Sequence, residues 1–251
     1  MSFFQGADAY DRFMGRYSTP LAPQLADLAG VTAGQRVLDV GCGPGALTGE
    51  LVRRCGAANV TAVDPSESFV AAARERHPDV DVRQARAEHL PFADDAFDAA
   101  LAQLVVHFMA DPRVGVHEMR RVTRPGGALA ASVWDFTSGG PLTVFWEAVR
   151  QVDPDNPGEV ERMGSRPGQL AALFVEGGLA DVEQHVLSVE VEHPSFAEWW
   201  EPYTLGIGPA GAYVAGLDDA ARGRLEDACR RLLPPAPFTI TARAWAARGI
   251  A

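Results

Sequence analysis

The chain is 251 residues long, 47% hydrophobic and 22% charged, the make-up of an ordinary globular protein with one large core and room for a cap. Its net charge of -11 gives no overall field to draw in nucleic acid. No apolar run approaches the length of a membrane span, and the first residues lack the basic leader and apolar stretch of a secretion signal.

Residues 1–20 mix aromatic and charged side chains, including Phe3, Phe4, Tyr10, Phe13, Arg16 and Tyr17. Thr19-Pro20 predicts a helix start, because Pro suits the first helical position. Leu21, Leu25, Leu28 and Ala29 follow at helical spacing, and Gly34 closes the segment. A strand is expected at 36–40, a helix from Ala46 to Arg54 and a strand at 59–63. Ser66 reads as the N-cap of a helix over 67–76, which His77-Pro78 ends. Strands follow at 80–84 and 97–102. A helix over 111–123 then leads through Pro125-Gly126-Gly127 to a strand at 128–134. This alternation predicts a doubly wound α/β domain, a mostly parallel sheet with helices on both faces.

Beyond Trp134 the regularity loosens. A helix is expected from Leu142 to Val152, then a turn at Asp153-Pro154-Asp155-Asn156-Pro157. A helix over 167–176 ends at Gly177-Gly178, and Val182 to Val191 alternates as a strand does. Residues 194–233 read as helices and loops, and Phe238 to Ala247 as a last strand. Cys42, Cys55 and Cys229 are odd in number and form no C-x-x-C pair, so they read as reduced thiols of a cytoplasmic protein. His185 and His193 lack helical metal spacing, and no metal is expected.

The densest signal is Val37-Leu38-Asp39-Val40-Gly41-Cys42-Gly43-Pro44-Gly45, a buried strand running into a glycine turn. The next strand ends in Asp64, whose carboxylate can accept from both hydroxyls of a ribose. Together these make a site for an adenosine-bearing ligand. Gly41-x-Gly43-x-x-Ala46 satisfies the dinucleotide fingerprint, so a nicotinamide-dependent oxidoreductase is one reading. Asp39 argues against it, since a carboxylate beside this turn repels a pyrophosphate. It suits S-adenosylmethionine, which carries a sulfonium and an α-ammonium and no phosphate.

Val37 to Gly45 resembles the first motif of class I S-adenosylmethionine-dependent methyltransferases. The resemblance continues through Ala62-Val63-Asp64-Pro65-Ser66, Ala85 to Phe92, Asp94 to Asp98, and Thr123-Arg124-Pro125-Gly126-Gly127. These motifs keep the family's order and spacing over roughly residues 30 to 135. The branch is similar to the one that includes quinone-biosynthesis methyltransferases. The resemblance implies seven strands, with the two late ones forming an antiparallel edge. It divides one domain, 1–251, into an N-terminal lid and helix (1–30), a cofactor-binding core (31–136) and cap inserts (137–165 and 194–236). The inserts would cap the carboxyl ends of the strands.

The cofactor candidates are Arg16, Asp39, Gly41, Gly43, Gly45, Asp64, Pro65, Ala87, Glu88 and Gln103. In similar proteins the N-terminal segment folds over the cofactor, where Arg16 could pair with its methionine carboxylate. Tyr10 and Tyr17 could close that lid. Family members often carry an acid at the position of Arg86, which cannot accept from the adenine amino group. Either Glu88 or a backbone carbonyl substitutes, or Arg86 turns outward, while the Ala87 N–H meets an adenine ring nitrogen. Gln103 follows strand four, where the family's cofactor meets its substrate, and His107 there is either a general base or a histidine that shapes the pocket. Trp134, Trp199, Trp200 and Tyr203 are the candidates for an apolar substrate pocket. The expected function is S-adenosyl-L-methionine-dependent methyl transfer to the O, N or C nucleophile of a small molecule. The alternatives are the nicotinamide enzyme and a non-catalytic S-adenosylmethionine-binding protein.

Overall fold

The computed structural model describes residues 7–159 and 162–251. The expected aromatics Phe3 and Phe4, and residues 160–161 of the first insert, lie outside the described residues. The first five strands are β1 (Val37–Val40), β2 (Val60–Asp64), β3 (Asp81–Gln84), β4 (Phe97–Gln103) and β5 (Thr123–Trp134). Two long strands, β6 (Ala180–His193) and β7 (Phe238–Ile250), complete a seven-stranded sheet in the order β3-β2-β1-β4-β5-β7-β6. β1 to β5 pair in parallel, and β7 runs antiparallel to both β5 and β6. The order reverses between β1 and β4, and in open α/β sheets ligands gather at that crevice.

Parallel neighbours need crossover connections, and helices supply most of them. They are α3 (Ala46–Cys55), α4 (Glu67–Arg76) and α5 (Pro112–Val122). Asp111 caps α5 by accepting from the N–H groups of Arg113 and Val114, and Pro112 takes the first turn, where its missing N–H costs nothing. Ser66 precedes α4 as expected but does not cap it; its hydroxyl meets Ser68 instead. All four residues of β1 are buried, including Asp39, as expected of a central strand covered on both faces.

The N-terminal helix departs from the expected start at Thr19-Pro20. Helix α1 (Ala7–Tyr10) runs through a π turn at Asp11–Gly15 into α2 (Arg16–Leu28), with Pro20 and Pro23 inside. Tertiary packing overrides the proline signal: Tyr17, Leu21, Ala22, Leu25 and Ala26 are all buried along one face. The later part of the chain adds α6 (Thr143–Val152), α7 (Gln169–Glu176), α8 (Phe196–Trp200), α9 (Gly208–Ala215) and α10 (Asp219–Leu232). α6 packs on α10, and α7 packs against β6 and β7. Among the described residues, no helix is long and apolar enough to cross a membrane.

Candidate active site

The glycine turn after β1 is tied to the end of β2. The N–H groups of Gly41 and Cys42 both donate to the Val63 carbonyl, at 2.8 and 2.9 Å. Asp64 is held from two sides: Gly43 N–H donates to Oδ2 at 2.9 Å and Ser66 N–H to Oδ1 at 2.8 Å. Gly41 and Gly43 both adopt positive φ, which favours glycine. A Cβ on Gly41 would strike Val105, whereas one on Gly43 would meet nothing within 4 Å and would project into open space. The turn therefore leaves room for a ligand directly above its backbone.

That space is a cavity of about 650 Å³ at the carboxyl ends of β1, β2 and β4. Its walls include Gly41, Gly43, Asp64, Pro65, Arg86, Ala87, Glu88 and Gln103, joined by Tyr10, Phe69, Leu104, Phe108 and Met109. A small neighbouring cavity shares Tyr10, Gly41, Gly43, Gln103 and Leu104 with it and reaches Ser18 and Asp39. Asp39 Oδ2 accepts from the Thr48 hydroxyl at 2.6 Å, while Oδ1 is buried without a hydrogen-bond partner among the described residues. Burial pushes the Asp39 carboxyl up to about 7. Asp64 is also raised by burial, against the two N–H groups that favour its charged form. Gln103 donates to the Ser18 carbonyl at 2.9 Å, and its own oxygen is buried without a partner among the described residues. Glu88 accepts from the N–H groups of Ala110 and Asp111, at 2.6 and 3.2 Å, tying the loop after β3 to the start of α5. Arg86 is exposed at the cavity rim, beside buried Ala87.

Two cofactor candidates lie elsewhere. Arg16 pairs with Glu198 at 2.6 Å and meets His193 Nδ1 at 3.1 Å, so its guanidinium fastens α2 to α8 rather than facing the 650 Å³ cavity. Gly45, at φ +100°, borders the His77 ring and lines the outer surface of the turn. It shapes the start of α3 without reaching the cavity.

A third cavity of about 50 Å³ lies beyond Tyr10, Leu104 and Phe108, which line both it and the large one. Its other walls include Phe13, Met14, His107, Trp134, Phe136 and Glu159. Trp134 is one of these walls. Trp199, Trp200 and Tyr203 are not in these walls. They are buried in an aromatic cluster in which Tyr203 stacks on Phe145 at 4.5 Å and meets Phe13 and Trp199 edge-on or tilted, at 5.0 and 4.8 Å. These rings hold the cap together. Burial and the nearby Arg162 cation push His107 down to about 3, so it is a neutral imidazole at ordinary pH and a weak base. Its Nδ1 is buried without a partner among the described residues.

Sequence reasoning placed Leu104 with Gln103 where cofactor meets substrate, but missed Phe108 and Glu159. Leu104 takes φ +60°, a conformation a leucine sequence does not announce, and so turns the chain after β4 between the cavities. Glu159 comes from the first insert, and only tertiary packing brings it to the sheet. Among the described residues, no group of three His, Cys, Asp or Glu is gathered to hold a metal ion.

Residues 38–131 match the family described as a methyltransferase domain. The chain is 35% identical over 131 residues to a demethylmenaquinone methyltransferase of Renibacterium salmoninarum, covering 52% of this chain and 54% of that protein. It is 31% identical over 155 residues to a malonyl-[acyl-carrier protein] O-methyltransferase of Erwinia billingiae, covering 62% and 61%. The chain thus spans about half to three fifths of the length of these relatives. The fold is shared with the crystal structure of YcgJ from Bacillus subtilis, at a TM-score of 0.58 and 21% identity, over 92% of this chain and 97% of that one. S-adenosylmethionine fits the donor set: an open space above Gly43, the Asp64 carboxylate, and two buried oxygens, on Asp39 and Gln103, that lack partners among the described residues and suit a cationic ligand. The motif order, the sheet and this cavity agree with the matches: residues 38–131 are a methyltransferase domain, and the chain resembles the class I S-adenosylmethionine-dependent methyltransferases, the quinone-biosynthesis branch among them.

Proposed function

We propose that this protein transfers the methyl group of S-adenosylmethionine to a small-molecule acceptor. The observation that carries the reading is the wall shared by the two cavities: Tyr10, Leu104 and Phe108 border both the large cavity and the small apolar one. A methyl donor in the first would meet an acceptor in the second once part of this single layer of side chains moves aside, since the reacting atoms must come within about 3–3.5 Å. Methyl transfer is an in-line displacement, so alignment and exclusion of water supply much of the catalysis.

In this reading Asp64 accepts from the ribose, the Ala87 N–H meets the adenine edge, Asp39 and Gln103 hold the methionine part, and Trp134 lines the acceptor pocket. α1 and the π turn act as the lid, since Tyr10 borders all three cavities and Phe13 and Met14 border the apolar one. The acceptor is a small molecule rather than a nucleic acid, on the strength of the net charge of -11 and the apolar walls. Three buried free cysteines support a cytoplasmic location. Relatives named as a demethylmenaquinone methyltransferase and a malonyl-[acyl-carrier protein] O-methyltransferase support methyl transfer as the activity. The test is calorimetry with S-adenosylmethionine, S-adenosylhomocysteine and NADH, followed by transfer of labelled methyl to a panel of acceptors. Binding of NADH without binding of either sulfur ligand would overturn the proposal.

A further inference from the structure

The small apolar cavity contains a carboxylate that the cofactor does not need. Glu159 is only 3% exposed, yet it lines a space otherwise walled by rings and aliphatic side chains. Its Oε2 accepts from Trp146 Nε1 at 3.1 Å, and its Oε1 pairs with Arg162 Nε at 3.2 Å. Each carboxylate oxygen accepts more than one hydrogen bond, so both retain capacity. Arg162 in turn lies over the Phe108 ring, 5.2 Å from its centre, and reaches the His107 carbonyl. The first insert is thereby fastened to the wall shared by the two cavities.

The charge balance of the cavity is closed. Burial pushes the Glu159 carboxyl up, while Arg162 and the Trp146 N–H favour its charged form, and the His107 ring facing the same space is neutral at ordinary pH. Tyr10 is likewise held in its neutral phenol form by burial and by Asp64. A charged acceptor would enter with no partner for its charge, and burying an unpaired charge is strongly unfavourable. A wholly apolar acceptor would leave the spare capacity of Glu159 unused and displace any water that satisfied it.

We infer that this cavity takes an uncharged, largely apolar acceptor, an aromatic alcohol in class, whose O–H donates to the Glu159 carboxylate. Glu159 sets the orientation of the acceptor, and His107 Nδ1, buried without a partner among the described residues, is a second polar atom in the walls of the cavity. The cavity volume of about 50 Å³ is little more than one water's share of liquid volume, about 30 Å³. The acceptor therefore enters by displacing a wall. Phe108, 45% exposed and common to both cavities, is the ring beside solvent that swings aside.

The inference rests on the methyltransferase reading and is tested separately from it. Protein saturated with S-adenosylhomocysteine is titrated by calorimetry with four probes: p-cresol, its methyl ether, tyramine and 4-hydroxybenzoate. The expected order is p-cresol first, with the methyl ether and both charged probes at least about tenfold weaker. Glu159→Gln keeps the side-chain size and the Trp146 contact. It is expected to weaken p-cresol about tenfold or more while leaving S-adenosylhomocysteine affinity within about twofold. A melting curve on the variant checks its fold, and the comparison of probes on the unaltered protein stands even if the variant fails to fold. Equal binding of p-cresol and its ether, preference for a charged probe, absence of p-cresol binding, or a folded variant with unchanged p-cresol affinity each overturns the assignment. Failure of S-adenosylhomocysteine itself to bind sinks the methyltransferase reading instead.

Discussion

Gly43 and Asp39 show how much one residue decides here. A side chain at Gly43 would project into the large cavity from a left-handed backbone position, so Gly43→Val is both strained and obstructive. It is expected to lower affinity for S-adenosylhomocysteine at least a hundredfold, measurable by calorimetry; a variant that binds within tenfold of the parent would mean the ligand lies elsewhere. Asp39 titrates near 7 instead of near 4 because it is buried. Between those values the folded protein holds a proton that the unfolded chain does not. Stability therefore falls as pH rises from about 4 to 7, by up to roughly 1.4 kcal/mol per unit from this group, and levels off above. Cofactor affinity runs the other way, since a cation beside Asp39 favours its ionised form. S-adenosylmethionine should bind more tightly from pH 5.5 to 7.5 and then plateau. Asp39→Asn should remove most of that slope. A pH-independent affinity in the parent protein would show that Asp39 does not sense the ligand's charge. Asp39 was legible as a site residue because an acid in the middle of an apolar strand is conspicuous. Glu159 was not, because nothing near it in sequence marks its destination.

At the scale of elements, the cap and the N-terminal helix are joined by rings and ion pairs. Tyr203 sits among Phe13, Phe145 and Trp199, linking the π turn, α6 and α8. Removing a large buried ring costs about 3–5 kcal/mol, and in a chain of this size each kcal/mol moves the melting point by about 2–4 °C. Tyr203→Ala is thus expected to lower the melting temperature by about 6–20 °C, with affinity for S-adenosylhomocysteine nearly unchanged in the folded fraction. A stable variant with impaired acceptor binding would return the ring to the substrate pocket. Arg16→Ala should likewise leave cofactor affinity within about twofold, since its guanidinium meets Glu198 and His193; a tenfold loss would restore it to the cofactor site. Both residues were read as ligand contacts because aromatics in a cap and an arginine in a lid suit that role. Whether such side chains face a cavity or one another depends on how two distant segments pack, and Arg16 and Glu198 are 182 positions apart.

For the molecule as a whole, ligand binding and folding are linked. A ligand at a hundred times its Kd adds about 2.7 kcal/mol to stability, so S-adenosylhomocysteine at that excess should raise the melting temperature by about 5–11 °C, and NADH should not. The reverse pattern in a thermal melt would contradict the family's cofactor. The sequence by itself determined the alternation of strands and helices, the glycine turn and the acid ending β2, because these depend on local periodicity and on backbone conformations that only certain residues adopt. It also carried an argument against a pyrophosphate, through one carboxylate beside the turn. The tertiary structure alone decided that the N-terminal helix runs on through Pro20, that Leu104 and Phe108 separate two cavities, and that Glu159 reaches the apolar one. Burial of an amphipathic face outweighs a local proline signal, and a cavity is bounded by residues from four or five separate segments. No spacing along the chain encodes that meeting; it follows from how the inserts pack over the carboxyl ends of β4 and β5.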